Sequence, residues 1–243
     1  MYQTLHCIAL RTGRYSDSKN ILSAWSRELG RVALVLPAGA SREARRRRAL
    51  TVPLAAFEGE CDVRPGRDLL TVRDFRPADV SIALKSDPYK SLTAVFLAEV
   101  LDLMLSRADA DETLSDYLFS AIRVLASTTH PTAVANFHLV FLFHLAAPLG
   151  IAPDTSEWSP GMVFDMRDAM LRHTPPPHSD YLGPADTEGL SRLPRITFAN
   201  MHRWLLSSAD RGIILNHILR YYGIHMAPLT SLHSLDILRS LNC

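Results

Sequence analysis

The residue texture changes once along this chain, near Asp87-Pro88, and that change limits the fold more than any other feature. Before it, apolar residues gather in short β-rich runs: His6–Thr12 (HCIALRT), Arg31–Gly39 (RVALVLPAG), Leu50–Val63 and Asp68–Pro77. Pro and Gly end the second run, and the turn signal RPGR (Arg64–Arg67) separates the last two. Between the first two lies SDSKNILSAWSRELGR, whose Ile21, Leu22 and Trp25 fit either a short helix or another strand. About five short strands in the first 80 or so residues predict a small barrel or sandwich.

Beyond Pro88 the apolar residues follow the helical period. YKSLTAVFLAEVLDLMLSRA places them at positions 92, 95, 96, 100 and 103, and Leu114, Leu118, Ile122 and Leu125 repeat the pattern. The stretch Pro131–Gly150 opens on Pro, closes on Gly and is apolar almost all round, which predicts the central buried helix. Residues 151–194 carry six prolines from Pro153 to Pro184 and then Pro194, the mark of an extended, largely irregular insertion. Ile196–Ser208, Ala209–Tyr222 and Leu232–Leu241 complete the set of predicted helices. The fold class is α+β: a barrel over residues 1–80, then a helical region over residues 85–243 interrupted at about 151–194.

The formal net charge of the 243 residues is only +1, but it is unevenly spread. Residues 1–80 hold 14 Lys+Arg and 9 Asp+Glu, a net of +5, and residues 81–243 hold 12 and 16, a net of −4. Much of the basic excess sits in ASREARRRRAL (Ala40–Leu50), where Arg42 precedes the unbroken run Arg45, Arg46, Arg47 and Arg48. Arginine forks onto phosphate oxygens. A run between two predicted strands is expected on a loop tip or barrel rim, with Arg11, Arg14, Lys19 and Arg31 adding cation density in the same barrel. A small barrel with a basic loop suits single-stranded nucleic acid, whose backbone meets the cations while bases stack on aromatics. The competing reading is a solvated charged face. Tyr15, Trp25 and Phe57 are the nearby aromatics, and for each of them core packing is the stronger expectation.

Other chemistries find little support. The three cysteines, Cys7, Cys61 and Cys243, form no C-x-x-C pair, and free thiols fit a reducing cytosol, hence a cytoplasmic protein. The opening MYQTLHCIALRTGRYSD has no basic segment followed by a long apolar run. The most apolar segment, Phe137–Leu149, is 13 residues long and includes His138 and His144, too short and too polar to cross a bilayer. None of the three lysines, Lys19, Lys85 and Lys90, follows a phosphate-binding Gly-rich loop, and neither G-x-S-x-G nor H-E-x-x-H occurs. His138 and His144 read as core histidines. Asp165, His173 and His178 in the insertion form a weak metal candidate.

CIALRTGRYSDSKNILSAWSRELGRVALVLPAG (Cys7–Gly39) closely resembles the opening of the RecO recombination-mediator family: a strand ending in Leu-Arg, a Tyr before small and acidic residues, an Ile-Leu pair, then Glu-x-Gly-Arg entering the next strand. The basic segment Gly39–Arg48 follows in the family's order. FLAEVLDLML (Phe96–Leu105) resembles its first C-terminal helix, and ILRYYGIHMAPLTSLHSLDILRSL resembles its close. The resemblance implies an N-terminal OB-fold and a helical C-terminal domain. It implies binding of single- and double-stranded DNA, strand annealing and, with RecR, loading of RecA onto strands coated by single-strand binding protein (SSB), with no catalysis and no cofactor. An acidic partner docking on the basic barrel loop is the alternative. The resemblance also implies a site for the acidic C-terminal tail of SSB. Some members carry paired basic residues just before the central helix's Phe, where this chain has Ala135-Asn136 before Phe137. Arg123, Arg203 and Arg220 are the substitute cations.

Many members of that family hold zinc with four cysteines in the stretch that matches Asp154–Pro184, and this chain has no cysteine there. Structural zinc needs four ligands, commonly cysteines. The insertion is then expected to be held by packing through Trp158, Phe164, Met166 and Tyr181. Elemental analysis of the purified protein should find no stoichiometric zinc, and chelators should leave its unfolding midpoint unchanged. One zinc per chain would reverse this and make Asp165, His173 and His178 the first ligands to test.

Overall fold

The computed structural model describes residues 2–64, 66, 68–77, 84, 87–229 and 232–241. The chain divides into two compact units: Met1–Ser127 with Leu232–Leu238, and Thr128–Ser231 with Arg239–Cys243. The switch from strand to helix therefore lies inside the first unit.

In that unit β1 (Tyr2–Arg14), β2 (Lys19–Ser26), β3 (Gly30–Pro37), β4 (Ala56–Asp62) and β5 (Leu69–Pro77) close a barrel in the order β1-β2-β3-β5-β4. β3 and β5 pair parallel and their neighbours pair antiparallel, the OB arrangement. The stretch around Ile21–Trp25, open between helix and strand on sequence, is β2. Alternation fixes the barrel interior: Leu5, Cys7 and Ala9 of β1 meet Leu22 and Ala24 of β2, and Phe57 stacks on Phe75 at 4.4 Å. Cys7 and Cys61 are free thiols in this core, and burial pushes the Cys61 thiol up to about 11.

β1 and β2 are buried on their outer faces too. Register slips between Ala9 and Arg11, and both Ile8 and Leu10 are buried. Helix α2 (Pro88–Met104) packs on β1. It starts where Asp87 accepts from the Tyr89 and Lys90 amides, with Pro88 in the first turn. Trp25, fully buried, donates its Nε1–H to Ser115 Oγ (3.0 Å) on α3 (Glu112–Ser127).

Asp102 of α2 is the main fastening. It accepts from Ser23 Oγ at 2.7 Å, Arg11 Nε at 2.7 Å and Arg31 Nη2 at 2.5 Å. Arg31 Nη1 also donates to the Asp102 carbonyl. Burial alone would raise the Asp102 pKa, but the hydrogen bond from Ser23 and the charges of Arg31 and Arg11 outweigh it and hold the carboxyl below its usual range. Gly30 stands beside this joint at φ +70°, and a Cβ there would lie 2.4 Å from the Asp109 carbonyl carbon and 2.5 Å from Ala108 O. The same approach lets the Arg31 amide donate to Ala108 O at 3.0 Å. Glu28 accepts from the His6 amide (2.9 Å), His6 Nδ1 (2.6 Å) and Ser26 Oγ (2.9 Å). Glu28-Leu29-Gly30-Arg31 is thus the joint between barrel and helices. The C-terminal helix α7 (Ser234–Leu241) is fixed to α2 by Glu99, which accepts from the His233 and Ser234 amides, each at 2.9 Å.

The second unit is built on α4 (Pro131–Leu145), whose Phe137 and Phe141 are fully buried, as expected of the central helix. The insertion is more ordered than its prolines suggest. β6 (Val163–Asp165), β7 (Met170–Arg172) and β8 (Tyr181–Leu182) form a sheet in the order β7-β6-β8, and α5 (Pro184–Arg192) follows. Phe164, Met166 and Leu182 pack with Tyr221 of α6 (Ser208–His225), so two of the four anticipated packing residues lie in that cluster. Tyr222 OH donates to Leu142 O at 2.7 Å. The helix predicted over Ile196–Ser208 is absent. Two 3-10 turns, Leu193–Arg195 and Met201–Arg203, stand in and around that segment. Asn200 turns the chain by accepting from the Thr197 amide and donating to Arg195 O. Asn136 takes the Met201 and Trp204 carbonyls, and His144 the Ile196 carbonyl, that a helix would have used internally.

Asp102→Ala leaves Arg31, whose side chain is 18% exposed, without its carboxylate beneath α2. The expected loss is about 2–4 kcal/mol of unfolding free energy, read from urea titration. The carboxylate's contribution is present above the unfolded value, near 4, and is lost as pH falls through the lower folded value. Asp102→Asn should therefore flatten the acid limb of stability against pH below about 4.

Candidate nucleic-acid interface

The arginine run is a helix, not the loop expected from sequence. α1 (Arg42–Leu50) begins at Ser41, whose Oγ accepts from the Ala44 amide at 3.1 Å. Arg and Ala are strong helix formers, and Arg47 and Arg48 fall in the last turn, where the helix dipole favours cations. Ala44 is fully buried and Leu50 packs on the barrel core.

The helix divides the arginines. Arg47 donates from Nη1 to Val72 O and from Nη2 to Arg73 O, both at 3.3 Å, on the backbone of β5. Arg48 Nη1 donates to Ala38 O at 3.1 Å and Gly39 O at 2.8 Å, just past β3. These two half-buried side chains lash α1 to the barrel. Arg42, Arg45 and Arg46 are exposed.

The β1–β2 turn comes to the same place. Tyr15 and Ser16 both donate their amides to Lys19 O, and Arg14 Nη2 meets Asp17 Oδ1 at 2.5 Å. Ala38 donates its amide to Ser18 O at 2.9 Å while its carbonyl accepts from Arg48. The turn, the end of β3 and α1 therefore share Ala38. Arg14, paired with Asp17, and Lys19 are exposed on a turn joined through Ala38 to the segment that leads into α1, where Arg42, Arg45 and Arg46 are exposed, and we call this end of the barrel its cationic end. Arg11 and Arg31 are engaged at the Asp102 joint, although the Arg11 side chain is 69% exposed. Arg73, which sequence reading did not single out, is exposed on β5 with its guanidinium 4.1 Å from the centre of the Tyr2 ring. The alternation of β5 was the signal: Leu70, Val72 and Phe75 face in, Arg73 faces out. Trp25 and Phe57 are core residues, as expected, whereas Tyr15 is 60% exposed.

The residues picked for a partner tail fare unequally. Phe137 is fully buried, between Phe141 and Phe198, with ring centroids at 5.9 and 5.2 Å. Arg220 donates to Ser179 O (2.6 Å) and Asp180 Oδ1 (2.9 Å). Arg123 and Arg203 are exposed, the first on α3 and the second in the turn before Trp204. Trp204 lines an apolar cavity of about 280 Å³ in the second unit, walled by Leu142, Leu182, Leu190, Ile213 and Tyr222.

In the insertion, Asp165 is fully buried and accepts from Arg172 Nε at 2.7 Å and from the Arg167 and Asp168 amides, with His178 Nε2 at 3.4 Å. His173 is exposed. Among the described residues no three His, Cys, Asp or Glu side chains group as a metal set, and no helix is long and apolar enough to cross a membrane. His138 is a core histidine: burial, then the charge of Arg211, lowers its pKa to about 3.

The closed OB-type barrel, the helices fastened to it and the cationic barrel end define an OB-barrel protein with a helical C-terminal region. Residues 85–234 match the family model described as Recombination protein O C terminal. The chain is similar to proteins named DNA repair protein RecO from Phocaeicola vulgatus, 33% identical over 99% of both chains, and Porphyromonas gingivalis, 34% identical over 96% of both. A namesake from Flavobacterium johnsoniae is 28% identical over 85% of this chain and 84% of its own. This chain belongs to the RecO family of DNA repair proteins.

Arg48→Ala removes two hydrogen bonds that hold α1 in place, and should lower stability by about 1–2 kcal/mol. Arg45→Ala, at an exposed site, should stay within about 0.5 kcal/mol of the parent in the same thermal melts.

Proposed function

We propose that this chain is a non-catalytic, cytoplasmic recombination mediator. It binds single- and double-stranded DNA on the cationic barrel end, anneals complementary strands and, with RecR, helps load RecA onto SSB-coated single strands. The observation that carries the reading is the junction at Ala38, which donates to Ser18 O and accepts from Arg48, and so joins the turn that bears Arg14 and Lys19 to the segment that leads into α1 and its exposed Arg42, Arg45 and Arg46. The backbone of the two segments that carry the cations is tied together by hydrogen bonds, which lowers the cost of bringing both to one polyanion. Family membership supports the same reading, since the relatives are named as DNA repair proteins.

The SSB tail, acidic and ended by an apolar residue, is assigned to the second unit. The apolar cavity there supplies the wall for its last side chain, and exposed Arg203, next to cavity-lining Trp204, supplies a cation. Phe137, fully buried, offers the tail no surface. Arg220 keeps its partners at residues 179 and 180.

The test is a titration of labelled single-stranded oligonucleotide across salt concentrations. Each phosphate contact on a single strand contributes roughly −0.7 to the salt slope, so Arg42→Ala/Arg45→Ala/Arg46→Ala should flatten it by up to about 2 and weaken binding. An unchanged slope and affinity would leave the run as a solvated helix face. Loss of an acidic protein partner by the same variant, with no DNA bound by the parent, would favour a protein adaptor instead.

A further inference from the structure

Among the described residues, no ring or cation contact accounts for the position of Tyr15. Its ring is 60% exposed at the tip of the β1–β2 turn. The other rings of the barrel are accounted for: Trp25 and Phe57 are buried, Phe75 stacks on Phe57, and Tyr2 lies under Arg73. Tyr89, the other described tyrosine more than half exposed, stands at the start of α2 beside its Asp87 cap.

The backbone under Tyr15 is held firmly. Its amide donates to Lys19 O at 3.1 Å, Ser16 donates to the same carbonyl at 2.9 Å, and Ser18 O accepts from Ala38. Arg14 is tied across the turn to Asp17. The ring therefore stands on an ordered platform and loses little freedom when something packs on it. Exposed cations share its surroundings in the chain: Arg14 and Lys19 flank it in the turn, and Ala38, bonded to Ser18 of that turn, leads into α1 with Arg42, Arg45 and Arg46. A flat apolar face inside a cationic rim matches a nucleotide, with base on ring and phosphates on guanidinium and ammonium groups.

We infer that Tyr15 is a base-stacking platform by which the cationic barrel end reads strandedness; this rests on the DNA-binding reading above. In a duplex both faces of each internal base are covered by neighbours, so the ring finds no partner there. In a single strand the base can swing onto the ring. The cations hold either form, and Tyr15 adds affinity for the single strand alone. The contact requires an aromatic face and not the phenol hydroxyl.

The experiment compares the full-length protein with Tyr15→Ala and Tyr15→Phe on oligo-dT, on a strand of equal length built from abasic sugar-phosphates, and on a duplex, each at two salt concentrations. The parent should prefer oligo-dT to the abasic strand by about fivefold or more, the low end for one stacked base. Tyr15→Phe should keep that preference. Tyr15→Ala should lose it, with its salt slope and its affinities for abasic strand and duplex unchanged. A parent that binds dT and abasic strands equally, or a Tyr15→Ala protein that keeps the preference, overturns the stacking role while leaving DNA binding intact. A parent that binds none of the three at low salt overturns the DNA reading and the platform with it.

Discussion

The carboxylate of Asp102 holds the first unit together. Ser23 from β2, Arg11 from β1 and Arg31 from β3 all reach it, so one side chain of α2 registers three strands. Those strands have apolar residues on both faces, and they could not be exposed. Ile8, Leu10 and Trp25 need a cover, and the polar contacts determine which one fits. Gly30 completes the arrangement by making room for the backbone of residues 108–110. A small barrel has too little interior to be very stable alone. Here its outer face becomes a second core.

The same economy explains the arginines. A dense run of like charge repels itself, and a fully solvated run would favour an open loop. α1 avoids this by turning its charges to different tasks. Arg47 and Arg48 fold back onto carbonyls of β5 and of residues 38 and 39, and Arg42, Arg45 and Arg46 remain outward. The bracing pair holds the helix that carries the outward three against the barrel. One run thereby holds two kinds of arginine, those that brace the helix and those exposed to solvent.

The parts legible in the sequence were those governed by period. The barrel strands, the change to helix beyond Pro88 and the buried helix over Pro131–Leu145 follow from spacing of apolar residues. The Glu-x-Gly-Arg signature was visible as a family mark, but its work was not, because Asp102 and Ala108 lie more than seventy residues further on. The helix of the arginine run is written in the propensity of Arg and Ala and in the Ser41 cap, which the charge of the run obscures. The helix expected over Ile196–Ser208 failed for the opposite reason: its period was adequate, but Asn136 and His144 claimed its carbonyls from a distant element. Arg73 was hidden by its isolation in sequence, and only the closed barrel brings it beside α1.

The way α7 is held also sets a schedule for synthesis. Glu99 receives the amides of His233 and Ser234, which follow it by 134 and 135 residues. The whole of Thr128–Ser231 is threaded between the two pieces of the first unit. At roughly 5–20 residues per second, a ribosome that has made Glu99 takes on the order of ten seconds to deliver the residues that cap onto it. The barrel and its helices must stand through that interval with their last seam open. The second unit has time to form before the first is sealed, and a nascent chain that has not yet reached His233 already carries the whole barrel with that seam open.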